Sequence, residues 1–260
     1  GVLLGPAVGG GLMLVLGPSA GLIVNAVIYL PLILWLRTVP YSRMRFDAVR
    51  GRRVGWKDAF GLLSGVSGNR VILSMILLVA SASLLVGNAY QAQMPEFAHD
   101  LGTDEAGIAY SALLAANAAG AVIGGILLEF GGLLRPQART AIILASLWCL
   151  AIGLFAGATS YPVALALLLL AGIFNLAFLS MAQTLVQLLA PEEIRGRLIG
   201  VFIMAMMGFR SFSGFTVGVL GSFIGIHWSL GLSSGVLLVV TLAMLTLVRS
   251  VDRDEGPSAV

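Results

Sequence analysis

Apolar residues run along this chain in eight long blocks, at 1–16, 20–36, 71–90, 107–128, 140–157, 163–189, 198–224 and 230–248, separated by polar connections of which one is long. A strand half-buried in a sheet alternates every second residue, and a surface helix shows one apolar stripe. These blocks do neither, because they are apolar all round. An apolar helix of about 20 residues spans the hydrocarbon core of a bilayer with every backbone group paired internally. The pattern therefore predicts an all-α integral membrane protein with eight transmembrane helices. The first block is short for a crossing and the chain opens at Gly1 in sequence already helical in character, so a fragment of a longer chain is expected.

Composition agrees. Of 260 residues 58% are hydrophobic and 10% charged, against about 25% charged in soluble domains, and mean hydropathy is +1.00. Soluble enzymes, disulfide scaffolds and nucleic-acid binders are excluded on that balance. The single cysteine, Cys149, lies inside an apolar block, and His99 and His227 have no neighbour at metal-ligand spacing. Neither a metal site nor a cofactor is expected. No basic start and cleavage site mark a signal peptide.

The net charge of +3 is uninformative, but its distribution is not. Arg37, Arg43, Arg45, Arg50, Arg52, Arg53, Lys57 and Arg70 lie between the second and third blocks, Arg135 and Arg139 between the fourth and fifth, Arg195 and Arg197 between the sixth and seventh, and Arg249 and Arg253 after the eighth. These are alternate connections. The others carry no Lys or Arg, and the one after the third block holds Glu96, Asp100, Asp104 and Glu105. Basic residues flanking spans stay cytoplasmic, so a multi-pass protein of the cell (cytoplasmic) membrane is expected, with the linker and the C-terminus in the cytoplasm. Segment 37–70 then divides the chain into 1–36, the linker 37–70, a six-helix part 71–248 and a tail 249–260. Within the linker Trp56, Phe60 and Leu63 fall at helical spacing beside Lys57 and Asp58, the pattern of an amphipathic helix on a membrane surface.

Several short motifs carry more. Gly5, Pro6, Gly9 and Gly10 place small residues around a proline in the first block, and Ala116, Gly120 and Gly124 do so on one face of the fourth. Such spacing lets helix backbones approach closely. The fourth block runs on into Gly125, Glu129, Phe130, Gly132, Arg135 and Arg139. Between the sixth and seventh blocks Pro191, Glu192 and Glu193 precede Arg195 and Arg197. Pro191 is expected as the first residue of the following helix, with both acids complementing its dipole.

Together these motifs resemble the major facilitator superfamily of secondary transporters, in its multidrug and siderophore branch of macrolide- and enterobactin-type exporters. The Gly5–Pro6–Gly9–Gly10 run is similar to the family's fifth-helix exporter motif. Gly125, Glu129, Gly132 and Arg135 resemble the second-half copy of its loop motif, although Phe130 stands where a basic residue belongs. The stretch 191–200 resembles the loop before the eleventh helix, and Gly208, Gly214, Gly218 and Gly225 resemble that helix's glycine pattern. The resemblance implies that the eight spans are helices five to twelve of a twelve-helix fold whose first four helices are partners absent from this sequence. It implies gating roles for Gly125, Glu129, Gly132, Arg135, Arg195 and Arg197, and a small-molecule substrate exported by alternating access, with a coupling proton as a further partner.

Polar residues deep in spans are the candidates for substrate contact, because lipid and packing faces need none. Arg210 is the only basic residue within a span, where it anchors an anionic or carbonyl-rich substrate or pairs with a carboxylate of the absent helices. Asn175, Gln183 and Gln187 share one face of the sixth span, Asn117 lies on the fourth, and Asn88, Tyr90 and Gln91 follow Gly87 at a loosened end of the third. A membrane scaffold or receptor-like protein without transport is the alternative. An intramembrane serine protease using Ser67 and His227 is a further one, opposed by topology, which puts them at opposite membrane faces.

Overall fold

The computed structural model describes residues 69–102, 106–131 and 136–254, with positions 27, 30, 31, 34, 35 and 61; the side chains of 106, 129–131 and 248–254 lie outside that description. The chain divides into two compact units, Gly1–Gly61 and Leu62–Val260. In the first unit the five described positions from 27 to 35 are helical. The Gly5–Gly10 motif and the linker's amphipathic stretch lie outside the described residues.

In the second unit the helices are α1 (Arg70–Leu85), α2 (Ala89–Ala92), α3 (Met94–Asp100), α4 (Ala106–Gly131), α5 (Ala138–Ala156), α6 (Tyr161–Leu189), α7 (Arg195–Gly208), α8 (Leu220–Ile224) and α9 (Ile226–Asp254). A 3-10 turn, Phe209–Ser211, and a π-helical stretch, Gly214–Val219, join α7 to α8. Six membrane-length apolar segments result: Arg70–Ala92, Gly107–Leu128, Ala138–Ala156, Tyr161–Leu189, Arg195–Ile224 and Ile226–Leu247. They coincide with the last six apolar blocks of the sequence to within a few residues.

Local chemistry sets several boundaries. Asn69 caps α1 by accepting the Ile72 amide at 3.2 Å, the usual use of Asn before a helix. Gly225, at φ +89, makes the turn into α9 that a side chain would resist. The expected start of α7 needs correcting. Pro191 is not its first residue: 191–194 form a turn closed by the Ile194 amide on the Pro191 carbonyl at 3.2 Å, and the helix begins at Arg195. Glu192 and Glu193 are exposed and lie before the first helical turn, which holds no acid.

α6 is central, packed against α4 on one side and α5 on the other, while α5 also packs against α9 and α1 meets α6, α7 and α9. Glycine sets the α4–α6 distance. A Cβ at Gly120 would strike the Leu169 carbonyl, one at Gly124 would come 2.7 Å from the Ile173 oxygen, and one at Gly172 would strike the Asn117 carbonyl. The small-residue stripe expected on the fourth span is thus answered by a glycine on the sixth. Between α5 and α9, Ser146 donates to the Thr241 hydroxyl at 3.0 Å, and between α5 and α6 Trp148 stacks on Phe178 with centroids 5.7 Å apart. The outer surface is apolar, with Phe223 81% and Trp228 77% exposed. Trp228 stands at the end of a span, where aromatic rings favour the lipid–water boundary.

The spans alternate in direction. The ends of α3, α5 and the start of α9 meet through Asp100, Ala156 and His227, and at the starts of α6 and α4 the Tyr161 hydroxyl donates to the Ala109 carbonyl at 2.8 Å.

Candidate functional site

Two spans lose α-helical regularity at the same level. In the third apolar block α1 stops at Leu85, Gly87 adopts φ +48, and the chain restarts as α2. In the seventh, α-helix gives way to 3-10 and then π geometry between Phe209 and Val219. Breaks of this kind release backbone carbonyls that must find other donors in an apolar setting. Side chains of neighbouring spans provide them. Thr216 Oγ1 lies 3.0 and 3.1 Å from the Leu84 and Leu85 carbonyls, and Ser83 donates to the Met206 carbonyl at 2.9 Å. The Val217 carbonyl accepts from Ser229 at 2.7 Å and from the Gln93 amide at 3.5 Å.

Gly87 is the tightest point between the breaks. A Cβ there would lie 2.5 Å from Ser213 Oγ and 2.6 Å from the Ser83 carbonyl, on a backbone that L residues avoid. Gly87→Ala is expected to destabilise the unit by about 2–4 kcal/mol, from left-handed strain plus the collision. Adding Ser213→Gly should restore only part of that, since the φ angle and the Ser83 carbonyl remain. Thermal unfolding of the two variants in detergent measures the difference, and equal stability of Gly87→Ala and the parent would refute the account.

The polar cluster forms around Tyr90, which is 1% exposed. Asn117 Nδ2, from α4, donates to the Tyr90 hydroxyl at 3.3 Å. Arg210, in the 3-10 turn, lies near the same phenol. Three atoms here are buried without a partner among the described residues: Arg210 Nε, Asn117 Oδ1 and, three residues past Tyr90, Gln93 Oε1. One donor and two acceptors left unmatched carry a desolvation cost of about 1–3 kcal/mol each. A bound molecule with complementary groups would remove it.

The remaining expected residues fall in different places. Asn88 donates to Gln91 at 2.9 Å within the break, so these two order the turn. Asn175 and Gln183 are half-buried and Gln187 exposed on α6, and none is hydrogen-bonded to the Tyr90 cluster. Arg195 donates to the Ala190 carbonyl at 3.4 Å and keeps a buried Nε without a described partner, while Arg197 is exposed. At Gly125 an added Cβ would touch only the Leu176 side chain, at 3.1 Å. The Glu129 side chain, Gly132 and Arg135 lie outside the described residues, as does Ser67. His227, its proposed protease partner, is engaged by Ala156 and Asp100 instead. Sequence reading passed over Ser83, Gln93, Ser213, Thr216 and Ser229. Their only signal is a hydroxyl or amide inside an apolar block, and hydroxyls are common there as local helix contacts.

The sequence profile described as Major Facilitator Superfamily matches residues 1–202 and, in a second alignment, 76–260. Each match covers more than half of the chain. The chain belongs to the major facilitator superfamily. It is therefore a membrane transporter by family, one whose members sit in a lipid bilayer and bind small-molecule substrates. No curated protein and no solved structure matches it. The six apolar segments and the all-helical architecture agree with that membership.

Proposed function

We propose that the chain is part of a secondary active exporter of drug-like or siderophore-like small molecules, with Arg210, Tyr90 and Asn117 at the substrate-contact site. Asn88 and Gln91 hold the adjoining turn, and Asn175 and Gln183 extend the polar surface along α6. The observation that carries this reading is the set of unmatched buried atoms on Arg210, Asn117 and Gln93, at the level where two facing spans are broken. Discontinuous helices at the midplane are where secondary transporters bind their cargo. On this reading Gly125, Glu129, Gly132, Arg135, Arg195 and Arg197 form cytoplasmic gating loops. The eight spans are helices five to twelve, and the basic linker and C-terminus lie on the cytoplasmic side of the cell membrane.

Export is tested with probes of both classes. Cells expressing the full protein should retain less of a fluorescent macrolide or of a ferric catecholate than cells expressing Asn117→Ala at matched membrane abundance. One lost hydrogen bond corresponds to a difference of about threefold to tenfold. Equal retention of both probes by the two strains would overturn the reading.

A further inference from the structure

Among the described residues both ion pairs involve Asp100, at the end of α3. His227 Nδ1 lies 2.7 Å from the Ala156 carbonyl, and its Nε2 lies 3.1 Å from Asp100 Oδ2. A carbonyl oxygen only accepts, so Nδ1 carries a hydrogen. A neutral imidazole has just one N–H, which leaves Nε2 as a lone pair facing a carboxylate oxygen. The contact is attractive only if one more proton is present, on Nε2 or on the carboxyl. The proton count of the pair is the same whichever partner holds it.

We propose that His227 and Asp100 form a one-proton binding site that latches α3 to the ends of α5 and α9. With the proton bound the pair is neutral as a unit and closed. When the proton leaves to water, a lone pair faces an anion, and the hold on α3 is lost. The apolar part of the latch is Phe97, 1% exposed, whose ring lies 4.7 Å from Phe155 and packs edge-on to His227 at the same distance.

Among the described residues other titratable groups around the ring are few, and α4, which packs against α3, carries only Tyr110 near its start. On α3, His99 Nδ1 lies 3.4 Å from the second Asp100 oxygen and Glu96 is exposed one turn earlier. α5 presents only the Ala156 carbonyl, α8 carries no titratable side chain, and α9 has no other one before Arg249. His99, and after it His227, hold the Asp100 carboxyl below the usual carboxylate range. A lowered acid keeps its contribution above that range and loses it only on strong acidification. A proton site fills at low pH and empties as pH rises, so the latch closes on acidification and opens when its proton is released to water. It goes beyond the export reading and does not depend on it.

The sequence contains two histidines, so His99→Gln leaves His227 as the sole one. Ring-nitrogen and Asp carboxyl NMR of that variant in lipid nanodiscs should show the additional proton at the acid end of a pH series and its loss at the alkaline end. Asp100→Asn supplies an amide donor to bare Nε2, and should pin the ring as the neutral Nδ1–H tautomer throughout. Spin labels at Glu96→Cys and Thr159→Cys, with Cys149→Ala, should move apart as pH rises in the parent and stay together in Asp100→Asn. A ring with only Nδ1–H beside an ionised Asp100 at both pH values would overturn the proton site. A label separation equally pH-independent in both backgrounds would overturn the latch.

Discussion

Gly172→Ala and Gly120→Ala should each abolish the folded state of the six-span unit. At both positions the new Cβ meets backbone, the Asn117 carbonyl in one case and the Leu169 carbonyl in the other. Backbone atoms of two long helices cannot step aside as a side chain does. Overpacking ordinarily costs about 1–3 kcal/mol. Here the two helices must separate along their length, so a cost above about 3 kcal/mol is expected, a large share of typical domain stability. Gly235→Ala is the matched control, because nothing lies within 4 Å of its added Cβ. Monodispersity and melting temperature in detergent report the outcome. A Gly172→Ala protein that stays monodisperse and melts with the control would show that α4 and α6 do not cross as closely as placed. The substitution also displaces the residue that bears the Asn117 amide, so a partly folded variant should lose transport before it loses helix content.

How far the sequence speaks for itself is visible in these same residues. The spans were legible because an apolar block of membrane length has one stable form in lipid, and the blocks at 107–128 and 163–189 end where the observed segments end. Gly120 and Gly124 were legible as a packing face because small residues at helical spacing have few other uses in a span. Their counterpart Gly172 was not, since nothing local in α6 says which helix it faces. Arg210, Tyr90 and Asn117 stood out one by one as polar groups at membrane depth, and the fold brings them together. Asn175 and Gln183 stood out by the same rule but do not join them. Only tertiary geometry separates the two cases. The π-helical stretch was hidden because its glycines resemble an ordinary packing pattern. Asp100 and His227 were hidden by a sequence separation of 127, which no periodicity spans. Pro191 misled because a proline followed by acids fits the start of a helix, and here it closes a turn instead.

The two broken spans explain why the polar cluster sits where it does. Continuous helices would satisfy their own carbonyls and leave Ser83, Thr216 and Ser229 free to bond within their own turns. Once α1 stops at Leu85 and the seventh span shifts to π geometry, those hydroxyls bond across the gap. The same interruption brings Tyr90 and Arg210 together in place of two apolar helix faces. Stability and site therefore share residues. Variants of the bridging hydroxyls should alter folding and transport together, whereas Arg210, whose Nε bonds nothing described, separates the two.

Arg210→Lys is expected to weaken export of anionic or oxygen-rich substrates about tenfold to a hundredfold while leaving melting temperature within a few degrees of the parent. The lysine keeps the charge and loses the planar fork that grips carboxylate, catecholate or paired carbonyl oxygens. A charged hydrogen bond is worth about 1.5–3 kcal/mol, hence the size of the effect. Arg210→Ala should lose such export entirely at unchanged membrane abundance. The competing role is a structural pair with a carboxylate of the preceding helices. In that case Arg210→Ala leaves a buried charge unpaired, at a cost of about 3–5 kcal/mol, and abundance and melting temperature fall for every substrate alike. No carboxylate among the described residues lies within ion-pair distance of the guanidinium. That favours the anchor. Efflux of an anionic and a cationic probe, measured with thermal unfolding for both variants in the full protein, decides between the roles. Normal efflux of both probes with normal stability in Arg210→Ala would eliminate each of them.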